Sequence, residues 1–362
     1  MPIDFPPARW ARVKENNRLW RERKLGRPLV QWTLHGADPG RPEPPYPRNC
    51  RISAFYNKDA GMERMLDRWD YDLSCQKFLG DAFPTFSVDF GPGVMAEALG
   101  GRVEPNTDGH IWFYPGAFEG VALRDMRFEY REDSFWFQRL LAICRAATTR
   151  FADQAQVIVW GLTSTVDVLA TLRTTEALLF DLYDCPDEVE RLVWEMHHAW
   201  FRYYETILAA CAGNPGYSSH GEVFSDAPIP MLQCDFAYMI GPEMFDRFVR
   251  PELVASCRRM PGSFYHQDGV GQLPHTPSLH SIPNLGGIQW QPGDGHPPSA
   301  LWHDVQRRIR EDGLLSQTWG GPEILETLFK THGDISNMLI IGHGHVRDEA
   351  RFREVLRRYG IE

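Results

Sequence analysis

Eight short apolar runs, spaced along the whole chain and separated by helical patterns, limit the fold more than any other feature. They read "PLVQWTL" (28–34), "TFSVDFG" (85–91), "VIVWGLT" (157–163), "GYSSHGEVF" (216–224), "SFYHQDG" (263–269), "GGIQWQPG" (286–293), "LLSQTWG" (314–320) and "NMLIIGHGH" (337–345). Runs of this length bounded by Gly, Pro and Asp are strand candidates, and the fourth has the weakest pattern. Strands alternating with helices predict an α/β fold. Eight of them fit a (β/α)8 TIM barrel better than an open doubly wound sheet. No run ends in a GxGxxG phosphate loop, which also argues against the open sheet.

The patterns between the runs agree with this. "CPDEVERLVWEMHHAWFRYYETILAAC" carries Pro186 in a first turn and then Val189, Leu192, Val193, Met196 and Trp200 along one stripe. "GPEMFDRFVRPELVASCRR" is similar, and its Pro251 predicts a kink or break. The first ~25 residues predict an amphipathic N-terminal helical extension, and the proline-rich "RPEPPYPRN" (41–49) predicts a loop. "VEPNTDGHIWFYPG" has the pattern of a hairpin, so residues ~101–132 are expected to be an insertion after the second strand of a single domain spanning 1–362.

Composition excludes several partners and places. The formal net charge is −10 with no long basic block, which argues against nucleic acid and anionic membranes. No apolar run approaches the ~20 residues of a membrane helix. "MPIDFPPARWARVKENN" lacks the apolar core of a secretory signal. The seven cysteines are dispersed with no CxxC pair, a usage that predicts reduced thiols and a cytoplasmic location.

In a barrel the C-terminal ends of the strands build the active site. Here those ends carry Asp89, then His266 and Asp268, then Gln289 and Trp290, then His343 and His345. Side chains two apart share one face of a strand, so His266 and Asp268 point the same way, as do His343 and His345. A lone Asp89 is equally a loop anchor, and one histidine of "GHGH" is expected to be structural. His266 with Asp268 reads as a satisfied core pair, a metal site or an acid–base centre, and buried ionisable pairs cluster at functional sites. His275 and His280 are loop or supporting candidates, and His197 and His198 are packing or surface residues.

Five motifs then occur in one order: "FPTFSVDFGPGVMAEALG", "VIVWGLTSTVDVLATL", "DFAYMIGPEMFDRFVRPEL", "YHQDG" and "IIGHGH". Together they resemble the uroporphyrinogen decarboxylase superfamily, from about residue 85 to the C-terminus. That superfamily comprises (β/α)8 barrels, among them the decarboxylase itself and zinc methyltransferases that use corrinoid or thiol carriers. The resemblance matches Asp89 and His343 to the family's aspartate and C-terminal histidine, and it implies a homodimer. The decarboxylase's arginine-rich opening is absent, since no arginine lies between Arg27 and Arg41. An octa-anionic porphyrinogen needs such arginines for bidentate carboxylate pairing.

The methyltransferase branch implies a divalent transition metal, zinc first, held here by His266, Asp268 and His343. The family's H-x-C becomes H-x-D in this chain, a harder ligand set that suits other first-row metals equally. The leading expectation is a metal-assisted methyltransferase or demethylase acting on a small methylated compound, with a corrinoid protein as acceptor. Asp89, Glu222 and His343 would be catalytic, and Trp32, His35, Asp235, Gln289, Trp290 and Trp319 would bind substrate. The alternatives are a metal-free decarboxylase or lyase and a non-catalytic small-molecule binder.

Overall fold

The computed structural model describes residues 3–46, 55–57, 59, 61–105, 111–160, 162–218 and 222–362. Eight strands run parallel to their partners: β1 Leu29–His35, β2 Thr85–Asp89, β3 Gln156–Trp160, β4 Met231–Gln233, β5 Phe264–Asp268, β6 Gly287–Gln291, β7 Leu315–Trp319 and β8 Met338–His345. One ladder runs β4–β5–β6–β7–β8–β1, and antiparallel Gln76–Gly80 continues it beyond β1. β2 pairs with β3 in a separate two-stranded sheet. Among the described residues no ladder joins β1 to β2 or β3 to β4. The fold is therefore α/β with a mostly parallel central sheet, and its first and last parallel strands are neighbours.

Alternation along β1 shows how the layers form. Val30, Trp32 and Leu34 pack outward with Leu325, Leu328 and Phe352 of the helices Pro322–His332 and Glu349–Arg358. Leu29, on the opposite face, joins Met231, Phe264, Leu315 and Leu339 in a second apolar layer. Strands buried on both faces are what a covered parallel sheet requires. One step further along the strands on that inner face the residues turn polar. Gln233, His266, Gln289 and Gln317 stand in register across β4 to β7. This band leads from an apolar floor to the strand ends.

The fourth strand corrects the sequence expectation. Within segment 216–224 the described residues give no parallel strand: Tyr217–Ser218 pairs antiparallel with Phe224–Ser225, and residues 219–221 lie outside the described ones. The parallel β4 comes later, at Met231–Gln233. Three residues preceded by Pro228 and Pro230 are too few to show a period of two. Elsewhere the patterns hold. The N-terminal helix spans Pro7–Arg21 and buries Trp10, Val13, Asn17 and Trp20 on one stripe. Arg102–Pro105 pairs with Ile111–Tyr114 as the hairpin, whose turn is outside the described residues. A π-helical turn, Phe245–Val249, precedes Arg250–Arg259. Pro251 lacks the N–H for the regular ladder, which accounts for the irregularity. No disulfide joins the described cysteines. No described helix is long and apolar enough to cross a membrane.

Candidate active site

β5 delivers His266 and Asp268 to the inner face at its C-terminal end, as the period of two requires. The imidazole is wedged between two partners. Its Nδ1–H donates to Gln289 Oε1 of β6 at 2.5 Å, and its Nε2 lies 3.7 Å from Asp268 Oδ2. Burial alone would lower the pKa of His266. The close approach and charge of Asp268, with the charge of Asp235, outweigh burial and raise it above the ordinary imidazole value. An imidazolium pointing Nε2–H at a carboxylate is a poised proton donor.

Asp235 reaches the same place from the turn after β4. Both oxygens of Asp167 hold that turn, accepting from the backbone N–H of Asp235 at 3.1 Å and of Phe236 at 2.8 Å. Asp167 itself starts the helix Thr165–Arg173, where the Ser164 side chain caps its N–H. His275 supports the turn from the other side, its Nε2–H donating to Ala237 O at 2.8 Å. Asp235 lies at the rim but is crowded by chain and carboxylates. Burial first, then the charge of Asp167, push its pKa up to about 7. A carboxyl group there exchanges protons near neutrality.

Asp235 and Asp268 line a cavity of about 390 Å³ above β5 and β6, together with Tyr238, Asp294 and His296. Asp235 also borders a neighbouring cavity of about 270 Å³ that reaches Asp167, Phe113 and Met239. The loop after β5 is clamped outside the sheet. Tyr265 donates to Gln272 Oε1, Gln272 Nε2 donates to Cys234 O, and Gln267 Nε2 donates to Gln272 O. A rigid loop holds Asp268 and Gly269 in place.

Other expected site residues fall elsewhere. His343 sits at the end of β8 beside His35, with His35 Nε2 and His343 Nδ1 3.3 Å apart. Burial and the neighbouring His345 hold His35 below the usual imidazole range. Following the pairing from His266 through Gln289 and Gln317 leads to Leu339, so His343 is three strands away and four residues further along. That is roughly 14 Å across the sheet and about 13 Å along the strand before curvature is considered. Among the described residues no three His, Cys, Asp or Glu side chains converge as a metal set. His266, Asp268 and His343 thus do not fit the three-ligand site expected of them.

Asp89 Oδ1 accepts from the Gly91 N–H at 2.9 Å, the loop-anchor role. Glu222 lies deeper, between β1 and β2. Thr85 Oγ1 donates to its carboxylate at 3.4 Å and Gln31 Nε2 to its backbone oxygen at 3.0 Å. It sits at φ +64, and burial pushes its pKa up to about 7. Trp319 does face inward, half-buried against the inner apolar layer. Trp32 and Trp290 do not wall a pocket. Trp32 packs outward, its Nε1–H donating to Gly320 O at 2.9 Å, and Trp290 is fully buried against Trp302. Gln289 and Trp290 are adjacent on one strand and must face opposite ways.

Asp167, Tyr238, Asp294 and His296 are site residues that the sequence reading does not single out. The "GDGH" after β6 offers a signal, since glycines around an acid and a histidine at a strand end mark a loop built for those side chains. Asp167 and Tyr238 offer none.

No protein-family model and no curated protein sequence matches the chain. Among solved structures it is similar to a methyltransferase from Methanosarcina mazei, with a TM-score of 0.57 and 14% identity over 92% of this chain and 93% of that one. At that identity the likeness is one of fold. A second structure, a glycoside hydrolase targeting pectin rhamnogalacturonan II, aligns at a TM-score of 0.38 and 13% identity over 87% of this chain and 34% of that one.

Proposed function

We propose that this chain is a methyltransferase built as one (β/α)8-type domain, acting on a small methylated compound above β4, β5 and β6. One observation carries the reading: His266, oriented by Gln289, lies against Asp268, and Asp268 lines a cavity together with Asp235. The whole-chain likeness in fold to a methyltransferase supports it. In the reaction the bond between the methyl carbon and its heteroatom breaks, and the heteroatom keeps the electron pair. His266 Nε2–H passes its proton to Asp268, whose carboxyl gives one to that atom in the cavity, and Asp235 near neutrality returns a proton to the centre. The nucleophile that takes the methyl group is proposed to be a corrinoid on a separate protein, as the family resemblance implies.

A second reading rests on the raised proton affinity of His266. A lyase would break a carbon–carbon bond, release carbon dioxide and protonate the resulting carbanion from the same imidazolium. The experiment is a panel of small compounds, each carbon-13 labelled once in a methyl group and once in a carboxyl group, with reduced corrinoid present. Label moving from methyl to corrinoid supports the first reading. Labelled carbon dioxide without methyl transfer replaces it with the second.

A further inference from the structure

We propose that the cavity above β5 and β6 selects a cationic methylated substrate, a quaternary or protonated methylamine. The inference rests on the methyltransferase reading and names its substrate class. Three carboxylates, Asp235, Asp268 and Asp294, line the cavity, and among the described residues no Lys or Arg does. The neighbouring cavity that shares Asp235 adds Asp167 and again no described Lys or Arg. The imidazole of His266 is matched by Asp268, against which it lies. Asp294 remains to face a ligand, and Asp235, which accepts from Gln233 Nε2 at 3.3 Å, shares the charge of His266 with Asp268. Three carboxylates outnumber the one imidazolium set against them, so the cavity is negative on balance, repelling an anion and attracting a cation.

Tyr238 is the second, independent element. It lines the same cavity and is half exposed, 52%. Its ring rests on Gly269 and Gly271, where an added Cβ would come within 2.7 Å of the ring carbons. Gly269 also has φ +85, so the backbone and the ring together require glycine there. A ring seated on two glycines beside carboxylates is an arrangement that recognises an alkylammonium, which is apolar at its methyl groups and positive at its centre. A neutral molecule of the same shape gains only the apolar contact.

The test compares choline with its neutral carbon isostere, 3,3-dimethyl-1-butanol, and with acetate, by calorimetry on the intact protein. Choline is expected to bind at least about tenfold more tightly than the alcohol, and acetate not to bind. Asp294→Asn and Tyr238→Leu should each weaken choline severalfold while circular dichroism stays unchanged. Equal affinity for choline and the alcohol, preference for acetate, or choline affinity indifferent to both substitutions overturns the proposal. Binding is read without turnover, so the two claims fail separately. Charge-selective binding without methyl transfer removes the reaction and keeps the substrate class. Methyl transfer from neutral donors with no choline binding does the reverse.

Discussion

His266 and Glu222 are both titratable groups set by surroundings, but with different consequences. Asp268 and Asp235 supply the charge that raises His266, so Asp268→Asn should lower its pKa, as read by the ring proton shifts in an NMR titration. An unchanged titration would mean that burial, not the carboxylate, governs the ring. Glu222 is raised from 4.5 to about 7 by burial, only partly offset by Thr85. A carboxyl raised in the folded state favours folding fully below its unfolded pKa, and that contribution fades as pH rises through the folded value. The difference corresponds to about 3 kcal/mol between roughly pH 4 and pH 8. His266 and Asp235 are also raised and slope the same way. Thermal melts of Glu222→Gln beside the parent should therefore show a flatter fall in stability from about pH 5 to pH 8. Parallel curves for the two proteins would exclude Glu222 as the source.

Among the described elements, the turn after β4 is held by one side chain at two points. Asp167 satisfies two backbone N–H groups in it, and the turn carries Asp235 and Tyr238 to the cavity. Asp167→Ala should cost about 1–3 kcal/mol through those unpaired donors, measured by urea unfolding, and should lower kcat/KM by displacing Asp235. An unaltered unfolding midpoint would show the turn held by other contacts. β5, β7 and β8 are readable from the sequence because each is a run of five or more residues with a glycine in it or next to it. β4 is not, because three residues display no period. His266, Asp268 and Gln289 are legible at strand ends, where alternation decides direction. Asp235 stands out by its motif, but its approach from a turn is not visible there. Asp167 and Tyr238 act across loops, where no local pattern reports which side chains will meet.

The molecule as a whole carries a net charge of −10, and its candidate site adds carboxylates at the place where a substrate would enter. Field and site therefore have the same sign, and both disfavour a polyanion. Uroporphyrinogen should give no coproporphyrinogen in an anaerobic assay, and formation at an ordinary enzyme rate would overturn the electrostatic account. The likeness in fold to a methyltransferase runs along nearly the whole chain, but the chemistry rests on the imidazole between Gln289 and Asp268. The most direct measurement is turnover of His266→Gln, a substitution close in size that cannot donate a proton as an imidazolium does. With a substrate found by the label panel, the account predicts a loss of at least about 100-fold in kcat, the usual weight of a general acid, with unfolding unchanged. Turnover within a factor of about three of the parent would contradict it.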